Sequence, residues 1–156
     1  MKAKKKYIYI GLLIVFITMQ FFQIDKTLPE SKPENDFFAV TNAAGPMAII
    51  LKDACYDCHS HQTTFPWYSN VAPLSWWLNG HINNGREHLN LSEWGTLNDE
   101  DKKDTLEEMQ EEIELKRMPV FVYTWTHAGA RMSEDDRKAM VTWLGGIAAG
   151  PIINPQ

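Results

Sequence analysis

The chain has 156 residues, 44% of them hydrophobic and 22% charged, with a formal net charge of −5. That length holds one globular domain and a leading segment, because domains typically run about 100–150 residues. Lys2, Lys4, Lys5 and Lys6 crowd the N-terminus, and without those four the 15 bases fall to 11 against 20 acids; this excludes the basic face of a nucleic-acid binder and suits a basic protein partner.

The lysines precede an apolar run from Tyr7 to Ile24, the pattern of an export signal. As a helix the run rises about 27 Å, close to a hydrocarbon core of about 30 Å. No small-residue cleavage pattern follows at Phe21–Asp25, so the expectation is an uncleaved, single-pass anchor over residues 1–24. It would hold a periplasmic domain on the cytoplasmic membrane. Residues 25–36 carry Pro29, Pro33 and several acids, the composition of a flexible tether.

The domain is expected over residues 37–147, with a C-terminal tail at 148–156. Met47, Ile50, Leu51 and Ala54 recur at helical spacing and predict a helix from Pro46 into Cys55. A second helix is predicted from about Pro73 to Asn84, ended or bent by Gly85. Asn98 or Asp99 caps a third through Leu115, with Leu106, Met109 and Ile113 on its apolar face. A loop follows from Met118 to Met132. Ser133 with Glu134, Asp135 and Asp136 starts a last helix, which Gly145 and Gly146 should stop near Leu144. No period-2 pattern appears, so the fold class is all-α. Six Trp in so short a chain need a large apolar surface to bury against.

The chemistry is concentrated in Cys55-Tyr56-Asp57-Cys58-His59. Two cysteines three apart can both add to haem vinyl groups, and the following histidine then lies under the iron. A thioredoxin-like dithiol uses the same spacing, but it begins a helix after a strand, and no strand signal precedes Cys55. Structural zinc would need two more ligands from His59, His61, His81 or His88, at no familiar spacing. A plain disulfide would leave His59 without a reason. One covalent haem c is therefore the expected cofactor, with iron held by His59. For the sixth ligand, Met118 stands in a loop directly before Pro119, where a thioether can reach the far side of the iron. His81 and His88 are alternatives, while His61, His127 and Met132 are weaker ones.

From Cys55 to Trp94 the run CYDCHSHQTTFPWYSNVAPLSWWLNGHINNGREHLNLSEW, with the later RMP at Arg117–Pro119 and the SEDDRKAMVTWL segment, closely resembles the bacterial haem-binding domain family of exported, cytochrome-c-like proteins common among Bacteroidetes. The resemblance implies a small cytochrome-c-like helical domain wrapped on one haem, and brings no enzymatic activity along with it. It puts Cys55, Cys58 and His59 at haem attachment and ligation and makes Met118 the distal ligand. Arg86, Trp94, Tyr68 and Trp77 are further positions where its motif recurs, with Arg86 suited to a propionate and the aromatic residues to packing on the ring. The expected function is membrane-anchored electron transfer with redox protein partners. The rivals are a gas or redox sensor or peroxidase-like enzyme with an open sixth site, and a haem-containing assembly module.

Overall fold

The computed structural model describes residues 2–150, and side chains from residue 5. Among them every regular element is helical. Seven α-helices run in order: α1 Lys2–Met19, α2 Phe37–Thr41, α3 Pro46–His59, α4 Leu74–His88, α5 Asp99–Glu114, α6 Tyr123–Thr126 and α7 Glu134–Ala149. Short 3-10 turns at Pro33–Asn35, Trp67–Asn70, Leu91–Thr96 and Ala128–Ala130 link them. Most of the expected C-terminal tail, residues 151–156, lies outside the described residues.

The caps read from the sequence are in place. The Asn98 side chain accepts from the Asp101 amide at the start of α5, and Ser133 with Asp136 forms a full capping box on α7. α5 and α7 then pack along their apolar faces. Arg137, near the start of α7, reaches the Ile113 carbonyl near the end of α5, while Gly145 lies against Gln110, so the two helices run antiparallel. The main core joins them to α2, α3 and the 91–96 turn through Phe37, Leu51, Tyr56, Leu91, Trp94, Leu106, Met140 and Leu144.

Two expected stops are not stops. α4 continues through Gly85 to His88, and α7 continues through Gly145 and Gly146 to Ala149. At Gly85 the missing side chain serves packing: a Cβ there would stand 2.8 Å from the Cys58 carbonyl oxygen. α3 and α4 cross at that point. At Gly145 a Cβ would meet the Gln110 side chain at 3.1 Å.

The N-terminal expectation is corrected. Among the described residues no helix is long and apolar enough to cross a membrane. α1 stops at Met19 rather than Ile24, so its turns from Tyr7 onward rise only about 20 Å, against the roughly 30 Å of a hydrocarbon core. Just past the helix end, Gln20 bonds to the domain. Its side chain donates to the Phe16 and Ala72 carbonyls and accepts from the Ala72 amide, at 2.9–3.0 Å. Nor does the 25–36 segment hang free. The Glu30 carbonyl accepts from His61, Asn35 packs on Gly95, and the Asp36 carboxylate accepts from the Phe38 amide, the Tyr56 hydroxyl and Gln62.

Candidate functional site

α3 carries the whole motif, because it extends past the predicted boundary at Cys55 to His59. Its last turn meets α4 at Gly85. There the His59 Nδ1 lies 2.9 Å from the Gly85 carbonyl and 3.2 Å from that of Leu89. A carbonyl can only accept, so Nδ1 carries the proton and Nε2 is left with its lone pair for another partner. Burial holds the imidazole below its ordinary value of 6.5, against the pull of those two carbonyls. His59 is therefore a neutral nitrogen donor fixed in orientation.

Cys55 and Cys58 are both unbridged. Burial pushes the Cys55 thiol up to about 12, with Cys58 adding to it, and pushes Cys58 up to about 11, with Asp57 adding and Arg86 opposing. These are neutral thiols rather than thiolates. No group of three or more His, Cys, Asp or Glu able to hold a bare metal ion occurs among the described residues.

Cys55, Cys58 and His59 line a cleft of about 280 Å³, just under the range of about 300–1,000 Å³ usual for organic ligands. The rest of the wall comes from three places. α4 contributes His81, Asn84, Gly85 and His88, followed by Leu89; α5 contributes Thr105, Glu108, Met109, Glu112 and Ile113; and the following loop contributes Met118, Pro119 and Val120, with Tyr123 at the start of α6. Most of this lining is apolar. The donor set fits a haem: two thiols and one oriented imidazole lie on a single stretch of helix, and a thioether from a different segment lines the same cleft.

Met118 is held from behind. Lys116 takes a left-handed turn at φ 58°, the Arg117 and Met118 amides both donate to the Glu112 carbonyl, and Arg137 donates to the Met118 carbonyl at 2.7 Å. His81 and His88 also line the cleft, each with Nδ1 on its own helix, at the Trp77 and Asn84 carbonyls. The weaker alternatives lie elsewhere. His61 is buried between Glu30 and Asn90, His127 stacks on Tyr123 outside the cleft, and Met132 packs against the main core.

The remaining residues of the family motif are not in the cleft wall. Arg86 points its guanidinium at the Ser60 carbonyl and the Thr63 hydroxyl, at 2.7 and 2.8 Å, which ties α4 to the loop after α3. Trp94 is 1% exposed in the main core, edge-on to Phe37. Tyr68 is buried with Leu78 and Ile82, and Trp77 is partly exposed beside the His81 ring. Sequence reasoning missed Tyr123, whose hydroxyl donates to Asp57 at 2.7 Å across the back of the motif helix. It also missed Arg137. Tyr123 stands in no motif and Arg137 in a segment read only as the start of a helix, so only the fold brings them to the site.

No curated protein and no solved structure matches the chain. Residues 14–145 match the model of the haem-binding domain family, from within α1 to within α7. That span includes every wall of the cleft and most of the chain, and the chain belongs to the haem-binding domain family.

Proposed function

We propose that the chain is an exported c-type haem protein that carries electrons, with Cys55 and Cys58 as thioether attachments and His59 and Met118 as axial ligands. The observation that carries this reading is the orientation of His59, whose Nδ1–H is tied to two carbonyls beside two neutral thiols in an apolar cleft. Bound haem supplies one-electron redox chemistry. Cys55 and Cys58 would hold the haem through thioethers, each thiol adding its S–H across a vinyl double bond with no oxidant consumed. The Gly85 and Leu89 carbonyls keep the imidazole in one tautomer, and the apolar wall excludes water.

We further propose membrane association through α1, whose apolar side chains are exposed from Tyr7 to Ile17. The acid-rich α5 presents Glu108 and Glu112 at the cleft, which suits a redox partner with a basic docking face.

A pyridine haemochrome assay on the purified protein tests the attachment. The c-type spectrum and haem retained through acid–acetone extraction are expected, and both are lost in the Cys55→Ser/Cys58→Ser double variant. Covalent haem surviving in that variant refutes the assignment. Met118→Ala should abolish the sulfur-to-iron charge-transfer band at the red edge of the visible spectrum and lower the reduction potential. His81 and His88 share the cleft, which favours one second reading: ligation by a second imidazole, or an open site with a distal acid–base histidine. Loss of low-spin character in His81→Ala or His88→Ala, or rapid carbon monoxide binding by the wild-type ferrous protein, would put that reading first.

A further inference from the structure

Past its lysines, from Tyr7 to Ile17, α1 is apolar around its circumference. Ile8, Leu12, Leu13, Ile14, Val15 and Phe16 point in all directions and each is between 45 and 61% exposed. A groove on a protein partner or a second copy would cover one side of such a helix and leave the rest in water, whereas lipid covers every side. Phe21 and Phe22, 82 and 64% exposed, carry the same apolar skin past the helix end to the surface of the domain.

At that end the domain grips the helix. Gln20 is bonded both ways to the Ala72 backbone, Trp76 donates its indole N–H to the Phe22 carbonyl at 2.7 Å, and Lys26 reaches Asn70 and lies over the Phe65 ring. All the gripping positions fall between residues 65 and 76. The same stretch, extended by one residue, exposes Trp67, Leu74, Trp76 and Trp77. Exposed indoles where an apolar helix leaves a domain are the composition of a bilayer interface, where a ring with a polar edge is most stable.

Building on the membrane association proposed above, we propose that the surface around Trp67, Leu74, Trp76 and Trp77 is a lipid seat: the domain rests on the bilayer at this rim, clamped to α1 by Gln20 and Trp76, instead of swinging on a tether. α4 rises from this seat, and at about 1.5 Å per residue its cleft-lining positions His81 and His88 stand roughly 10 and 21 Å along the helix from Leu74. The cleft then keeps a constant height over the lipid.

The full-length, haem-loaded chain in vesicles of phosphatidylcholine and phosphatidylglycerol, doped with a phospholipid bearing a photoactivatable group near its head, provides the test. After irradiation, mass spectrometry of the peptides should find lipid adducts on α1, on Phe21–Phe22 and within 67–77. Phe121 and Trp125, 72 and 64% exposed at and just before α6 beside the cleft, should carry none. Gln20→Ala should lower the 67–77 adducts several-fold while those on α1 persist. Adducts on α1 with no more on 67–77 than on 121–125 would overturn the seat and leave a swinging domain. Absence of adducts from α1 as well would overturn the lipid contact altogether. The haem spectrum of the same sample is read separately, so failure of the haem assignment is distinguishable from failure of the seat.

Discussion

Replacing Gly85 by alanine tests how closely the motif helix and α4 must approach. Inside a helix the change from Gly to Ala is favourable by about 1 kcal/mol. At Gly80, in the same helix, nothing lies within 4 Å of the added methyl, so Gly80→Ala should realise that gain. At Gly85 the methyl would stand 2.8 Å from the Cys58 carbonyl oxygen and 3.3 Å from its carbon, both rigid backbone. Overpacking of this kind costs about 1–3 kcal/mol. Pushing α4 away also weakens the bond from His59 to the Gly85 carbonyl, which is worth about 1 kcal/mol. The sum, less the helix gain, is a net loss of about 1–3 kcal/mol. With a urea slope of about 2 kcal/mol/M, the midpoint should fall by about 0.5–1.5 M in Gly85→Ala and rise by about 0.5 M in Gly80→Ala. Urea denaturation followed by circular dichroism reads both. Midpoints that move together would refute the close crossing.

Three further outcomes are expected. His59 has its folded value depressed below 6.5, so in the haem-free chain its contribution is complete above about pH 6.5 and is lost as pH falls through the lower folded value; urea midpoints from about pH 8 to about pH 5 should show the decline, and loading with haem should remove it. Arg86→Gln should cost about 1–3 kcal/mol by leaving the Ser60 carbonyl and Thr63 hydroxyl without their donor, with haem absorption unchanged. A shifted haem spectrum at unaltered stability would instead return Arg86 to the haem. Ser133→Ala removes the capping box of α7 and should cost about 1 kcal/mol, read as a thermal midpoint lowered by about 2–4 °C.

What the sequence made legible was mostly local. The Asn98 and Ser133 caps, the apolar faces of α5 and α7 and the Cys55–His59 motif depend on residues within a turn or two of each other, and the structure has them as read. Glycine was harder to read. Gly85 and Gly145 look like stops because the residue weakens helices, yet each sits where a neighbouring element lies too close for a side chain, a fact set by tertiary packing alone. The same holds for residues 25–36, whose polar, proline-bearing composition suits a tether while Asp36 bonds to groups 20 and 26 residues away. An apolar run also does not announce where its helix ends; Gln20 finds its partner at Ala72, far along the chain.

The grip of Arg137 on the Met118 carbonyl bears on speed as well as on shape. An electron moves fast only when little has to rearrange around the donor and acceptor, and iron ligands that shift with oxidation state slow every exchange. The proposed sixth ligand hangs from a backbone secured on both sides, by the Glu112 carbonyl that receives its amide and by the guanidinium that holds its carbonyl. Across the cleft, the imidazole is secured just as firmly by the Gly85 and Leu89 carbonyls. If the chain carries electrons as proposed, a site clamped from both sides would change its charge with little movement of its atoms.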